Sequence, residues 1–285
     1  MERFVVSDNL AREMCARLGV ALPRSRTDVG DLYRAWCEQV PFDSISKALA
    51  LRTGAVPPGA DPVEFCEQWL ATSLGGTCWG HVAALAAVLG AAGFDCRVGL
   101  DHLLDVERVD FHAFVVLDDG ARLWALDPIH GSGRPLPLEA GAQGQHPAYP
   151  VRFEADNSRL RHCYQSMHDG GFEPRTYAVL STDLDAADVR TFCEVARVYG
   201  MRAVSIYVRR FTATEMIDAR PADDGSALVV RHIRATSMSE VRYTDPDEAF
   251  AALGYDPAAV VVAERAGLIE RSESGTVRFV PRPVA

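Results

Sequence analysis

Lysine is nearly absent from this 285-residue sequence: Lys47 stands alone, and arginine supplies the rest of the 29 basic side chains. Against 39 acidic residues these leave a net charge of −10. A nucleic-acid partner is therefore not expected, because a phosphate backbone needs a broad basic surface. The seven cysteines, at 15, 37, 66, 78, 96, 163 and 193, contain no CxxC pair and no Cys/His ligand spacing. That excludes a disulfide framework and a zinc ribbon, and no metal is expected. No apolar run reaches the length of a membrane span, and Met1 to Asp8 carries charge where a signal peptide would be greasy, so neither is expected and the residence is read as cytoplasmic. Repeats and low-complexity tracts are missing too. The Gly/Pro-rich stretch from Pro128 to Pro150 is too irregular for a dinucleotide fingerprint.

What remains is an ordinary globular composition, 48% hydrophobic and 24% charged. The length suits one elaborate domain or two to three small units sharing a core. Apolar residues at three and four spacing predict helices over 8–18, 28–40 and 62–70. Val40-Pro41-Phe42-Asp43 breaks the second of these. After residue 95 the period falls to two: strands are expected at 96–100, 111–117 and 122–126, with Asp118-Asp119-Gly120 as a hairpin turn. A strongly amphipathic helix follows over 185–200. Beyond it come strands at 203–208 and 227–233, two short helices opened by Asp245-Pro246 and Asp256-Pro257, and a last strand at 276–280.

The chain is organised around Gly75-Gly76-Thr77-Cys78-Trp79-Gly80 and the apolar run His81 to Gly90. Val82, Leu85 and Leu89 recur at helical spacing, which makes a short buried helix with Thr77 as N-cap and Cys78 in its first turn. Unpaired amides and the positive end of the helix dipole then surround the sulfur and favour the thiolate. A free cysteine is more often a small buried hydrophobe, so the case needs a base.

The hairpin offers one. A two-residue loop at Asp119-Gly120 would set His112 opposite Asp127, with Cβ atoms about 5 Å apart on one face of the sheet. Cysteine, histidine and an orienting carboxylate form the set required for thiol nucleophilic catalysis. Cys78 would attack an acyl carbonyl, His112 would hold its proton, Asp127 would fix the imidazole tautomer, and the Cys78 backbone N–H would donate to the oxyanion. Asp105 and Asp110 are the competing carboxylates. A cross-strand His/Asp pair with a structural role is the plainer alternative. Phe42, Trp79 and His130, which flank these three, are candidates for binding substrate. Arg159, Arg161, Arg209 and Arg210 are candidate contacts for an anionic phosphopantetheine arm, weighed against ordinary solvated charge.

Taken together these residues resemble the arylamine N-acetyltransferase superfamily, whose catalytic core is shared with transglutaminase-like and papain-like enzymes. Leu32 to Ser44, with Val40-Pro41-Phe42-Asp43, is similar to the family's helix closing on Pro-Phe-Glu-Asn. Gly75-Gly76-Thr77-Cys78 is similar to its nucleophile motif, and His112 and Asp127 fall at the spacing of the other two triad members. The family usually carries arginine before the two glycines, where this chain has Leu74; its Asp-Val-Gly-Phe-Gly element is here Asp127-Pro128-Ile129-His130-Gly131. These departures look more like a biosynthetic branch of amide synthases and Dieckmann-type cyclases than like acetyl transfer to arylamines.

The resemblance implies an α+β fold: an N-terminal helical bundle carrying the nucleophile (1–95), a central antiparallel β-barrel-like region with His112 and Asp127 plus a helix (96–200), and a C-terminal α/β lid (201–285). It implies a cysteine-dependent acyltransferase with no bound cofactor, whose substrate is an acyl thioester of CoA or of a carrier protein's phosphopantetheine. The acyl group would pass to an amine or to an internal carbon nucleophile. Two other readings stand beside it, a transglutaminase-like peptide amide hydrolase and a non-catalytic binding protein of the same fold.

Overall fold

Short polar residues open the first helices where the sequence supplies them. The Ser7 hydroxyl accepts from the Leu10 N–H, Ser25 and Asp28 form a reciprocal capping box, and Asp61 caps ahead of Pro62. The computed structural model describes residues 2–55, 61–103, 111–130, 133–145, 150–156, 159–168, 171–199, 205–234 and 236–281. In chain order the elements are α1 (Asp8–Arg17), α2 (Arg26–Gln39), β1 (Phe42–Asp43), α3 (Ile45–Thr53), α4 (Pro62–Thr72), α5 (Cys78–Ala91), β2 (Asp95–Leu103), β3 (Phe111–Asp118), β4 (Leu123–Leu126), β5 (Leu136–Pro137), β6 (Gln143–Gln145), β7 (Pro150–Asp156), β8 (Arg159–His168), β9 (Gly171–Leu184) and α6 (Ala186–Tyr199). The carboxyl-terminal part adds β10 (Val208–Phe211), β11 (Met216–Pro221), β12 (Leu228–Ile233), β13 (Met238–Tyr243), α7 (Pro246–Ala252), α8 (Ala258–Arg265), β14 (Ile269–Arg271) and β15 (Val277–Phe279).

Eight antiparallel strands, in the order β5-β4-β3-β2-β9-β8-β7-β6, make the central barrel-like sheet; β1-β10-β11-β12-β13 make a second. The fold is α+β, with helices first, the sheet in the middle and a mixed lobe last, as expected. Helix α5 is buried along nearly its whole length, from Trp79 to Leu89, and its alanines let α1, α4 and the sheet pack close around it. A second core joins Ile45, Ala48 and Leu74 to the carboxyl-terminal sheet and α7–α8. Among the described residues no helix is long and apolar enough to cross a membrane.

One helix was unforeseen and two expectations are corrected. Helix α3 was not foreseen, because its inward face includes Ser46 and Lys47. The strand expected at 203–208 instead runs over Val208–Phe211, with 200–204 outside the described residues. The hairpin register also differs: Asp118 pairs with Leu123, and the loop spans four residues, 119–122. Asp119 causes this, since its carboxylate accepts from the backbone N–H of Ala121 and Arg122 and from Trp124 Nε1, which stabilises the longer loop. His112 is paired with Asp101 on β2 rather than with Asp127.

Candidate active site

The site begins at the chain's approach to α5. Asp43, fully buried, accepts from the N–H of Gly75 (2.8 Å) and of Ile45 (3.0 Å) and from the Tyr255 hydroxyl (3.2 Å). Its own N–H donates to Gly76 O at 3.0 Å, and Phe42 forms a parallel bridge with Gly76. Burial pushes the Asp43 carboxyl up to about 6 against these donors. Thr77 takes the N-cap position in extended conformation, but its hydroxyl makes no capping hydrogen bond, contrary to expectation. The first-turn amides of α5, which have no partner within a helix, are therefore not capped by that side chain.

One turn into α5, His81 is fully buried. Trp36 Nε1 donates to its Nδ1 at 3.1 Å, so Nε2 must carry the proton that it shares with Pro41 O at 3.0 Å. Burial pulls its pKa down to about 4. A histidine that stays neutral in the folded state stabilises fully above its unfolded pKa near 6.5 and progressively less as pH falls toward 4. The urea-unfolding stability gap between wild type and His81→Gln is expected to be widest at pH 7 and to narrow by up to about 1.4 kcal/mol per pH unit below 6.5. A gap that does not change with pH would contradict the neutral imidazole.

Cys78, half-buried at the tip of α5, lies near enough to the His112 imidazole to help raise its pKa. On the ring's other side His112 Nε2 meets Asp127 Oδ2 at 2.8 Å, which leaves Nδ1 for the sulfur. His112 and Asp127 are thus in direct contact, with Cys78 on the approach to the ring. Burial opposes charge on His112, but the Asp127 and Asp101 carboxylates and the Cys78 contact outweigh it and hold the imidazole pKa well above its usual value. Burial likewise opposes charge on Asp127, and His112 and His130 overcome it, so its carboxyl lies well below the usual range. Burial pushes the thiols of Cys15, Cys37, Cys66, Cys96 and Cys163 up, which makes them poor nucleophiles at neutral pH.

Parity explains why His112 and Asp127 meet although the hairpin register differs. The observed register is displaced by two residues, and an even displacement keeps every side chain on its face of the sheet. Asp127 lies just past the end of β4, where its Oδ1 accepts from the N–H groups of Ile129 (2.9 Å) and His130 (3.1 Å), and it reaches His112 diagonally.

Around this pair lies a layer of polar side chains that sequence reasoning missed. His162 Nδ1 hydrogen-bonds Asp101 Oδ2 at 3.0 Å and lies 3.9 Å from Asp127 Oδ2; Tyr164 and Tyr177 share a hydrogen bond at 2.8 Å. Asp101 and His162 are fully buried. No local signal in the sequence pointed to it: the pairing of β2 with β3, which sets Asp101 against His112, is visible only in the structure.

The other expected site residues fall as follows. His130 joins the cluster, with Nδ1 3.0 Å from Asp127 Oδ2. Phe42 is half-buried, edge-on to Tyr207 at 5.7 Å. Trp79 points into the core and stacks on Phe192 at 5.3 Å. Leu74 is fully buried in the second core. Arg210 donates to Glu38 O and Leu253 O, Arg209 is buried, and Arg161 pairs with Asp156, so none of these three is a plain solvated charge. Arg159 is exposed, and Asp105 and Asp110 lie outside the described residues.

His112, Asp127 and His130 bring three potential ligand atoms within 4.8 Å of one another. Those atoms are engaged with each other, both imidazoles on one carboxylate oxygen and two backbone amides on the other. In this arrangement the three side chains form a hydrogen-bonded network.

No protein-family model matches the chain, and no curated protein matches it in sequence. Solved structures do. The chain is similar to the arylamine-N-acetyltransferase from Mycobacterium tuberculosis (17% identity, TM-score 0.69, covering 88% of this chain and 97% of that one). It is similar to the Mycobacterium smegmatis enzyme (18%, TM-score 0.68, 88% and 95%) and to the Mycobacterium marinum arylamine N-acetyltransferase in complex with CoA (16%, TM-score 0.68, 88% and 94%). With 88% of its length covered in each comparison, this chain has the arylamine N-acetyltransferase fold.

Proposed function

We propose that the chain is a cysteine-dependent acyltransferase that takes an acyl group from a pantetheine-type thioester. The observation that supports this reading best is the buried His112–Asp127 pair, with Cys78 acting on the His112 ring from the amino-terminal end of a buried helix. A raised His112 pKa and a depressed Asp127 pKa favour a thiolate–imidazolium pair.

In the first step the Cys78 thiolate attacks the thioester carbonyl. The oxyanion is held by first-turn amides of α5. His112 gives its proton to the departing pantetheine thiol as the carbonyl reforms, leaving an acyl-Cys78. In the second step His112 removes a proton from the acceptor, which attacks the acyl-enzyme and expels the Cys78 thiolate. Exchange of one thioester for another is near-isoenergetic, so in the first step the enzyme's task reduces to orientation and proton handling. The CoA complex of the M. marinum protein supports a thioester of this class. Leu74 before the glycines and Pro128-Ile129-His130 after the aspartate favour a biosynthetic acyl group, carried by CoA or a carrier protein, passed to an amine or closed onto an internal carbon.

Intact-protein mass spectrometry after mixing with acyl thioesters of CoA and pantetheine tests this. One acyl adduct per chain is expected, mapped by digestion to the peptide holding Cys78. No adduct, an adduct elsewhere, or turnover of a peptide amide without any thioester would each overturn the reading.

A further inference from the structure

Asp127 receives more donors than a triad needs. Two backbone amides fill Oδ1, while His112 Nε2 at 2.8 Å and His130 Nδ1 at 3.0 Å both fill Oδ2. The His130 ring is buried, 4.3 Å from the His112 ring and stacked on Tyr164 at 3.7 Å, so packing holds it in this contact. We propose that His130 is a positioning residue acting through Asp127: donating to the same oxygen as His112, it takes a share of the carboxylate charge and thereby sets how tightly the His112 imidazole holds its proton opposite Cys78. This rests on the triad reading above.

The direction follows from the geometry. Burial drives the His130 pKa down to about 3, so at neutral pH it is an uncharged N–H donor to Asp127 and not a second cation. Each donor on an anionic oxygen weakens what that oxygen offers the other. The Ile129 and His130 backbone amides hold the carboxylate in place whatever side chain stands at 130. Losing the side-chain donor therefore leaves Asp127 oriented, with its full charge on His112, and the imidazolium becomes harder to deprotonate. That harms the proposed reaction, because proton transfer to a leaving thiol works best from an acid of matched pKa.

The other groups facing this pair stay constant when His130 is changed. Asp101 from β2 and Cys78 from α5 act on the His112 ring, with Tyr177 and His162 rings at 5.8 and 6.5 Å. Asp127 is also felt by Cys37 of α2 and His81 of α5.

The test is the pH profile of Cys78 alkylation by iodoacetamide, read on the Cys78 peptide, for wild type, His130→Phe and His130→Asn. Wild type should show two steps, formation of the ion pair at low pH and loss of the His112 proton at higher pH. His130→Phe is expected to move the upper step upward by about one pH unit. His130→Asn, whose amide places a donor where Nδ1 was, should bring it back. An upper step that stays, moves down, or moves equally in both variants overturns the role of His130 with the triad intact. A wild type with one alkaline step alone overturns the triad itself. Nitrogen-15 histidine NMR of the wild-type protein gives a check that survives a variant's failure to fold: His130 must carry its proton on Nδ1, and the Nε2–H tautomer would refute the proposal.

Discussion

Asp127→Asn is expected to slow acylation of Cys78 by about 10³- to 10⁴-fold. Four N–H groups point at the Asp127 carboxylate, two at each oxygen. An asparagine has one acceptor oxygen and one NH₂. Turned one way, its NH₂ faces His112 and His130, stabilises the His112 tautomer that presents N–H rather than a lone pair to the sulfur, and removes the charge that supports the imidazolium. Turned the other way, the NH₂ faces two backbone amides, and the neutral oxygen supports His112 poorly. Either orientation also leaves buried donors against donors, at a cost of about 1–3 kcal/mol. Single-turnover acylation measured by mass spectrometry separates the two effects when circular dichroism is followed alongside. Cys78→Ala, lacking the nucleophile, sets the floor. A variant within tenfold of wild type would mean that Asp127 does not govern the imidazole.

Gly75→Ala is expected to be the most damaging small substitution, at about 4 kcal/mol or more and a drop of roughly 10 °C in Tm. A Cβ on Gly75 would sit 1.7 Å from Pro41 O and 2.9 Å from Pro41 C, both backbone atoms. Neither can yield alone. Pro41 O accepts the His81 Nε2 proton, and the next residues carry the Phe42–Gly76 bridge and the Asp43 carboxylate that holds the Gly75 N–H. Moving Pro41 would therefore loosen the approach to Cys78 as well as the core. Gly30→Ala is the control: its Cβ would meet only Pro135 at an ordinary 3.8 Å within helix α2, so stability should hold or rise slightly. Thermal unfolding of the two variants decides the matter, and a Gly75→Ala melting point within 2–3 °C of wild type would contradict the close approach.

The parts legible in the sequence were those in which a polar outside met an apolar inside. Helices α1, α2, α4 and α6 and the Cys78 helix were visible through three- and four-residue spacing; β3 was read on a period of two, although its side chains are buried on both faces. The layer behind His112 was hidden for the opposite reason. Asp101, His162 and Asp127 occupy inward positions, so the strands and loop that carry them show polar residues where a core pattern requires apolar ones. Long-range pairing also leaves no local trace. Nothing near residue 101 announces that β2 will lie between β3 and β9. The hairpin was foreseen but not its length, because the decisive side chain, Asp119, satisfies its partners only after the loop has formed. His112 and Asp127 could still be matched, since a displacement of two residues preserves the face of the sheet.

The amino- and carboxyl-terminal parts of the chain are stitched together on the approach to Cys78. Strand β1, inside the amino-terminal helical part, is the edge strand of the carboxyl-terminal sheet, with Phe42 against Arg209 and Asp43 against Val208. Tyr255 reaches back 212 residues to Asp43, and Arg210 fastens Glu38 to Leu253. The lobes are consequently not interchangeable modules. A chimera that exchanged the last lobe would have to match the grip on Asp43 as well as the fold.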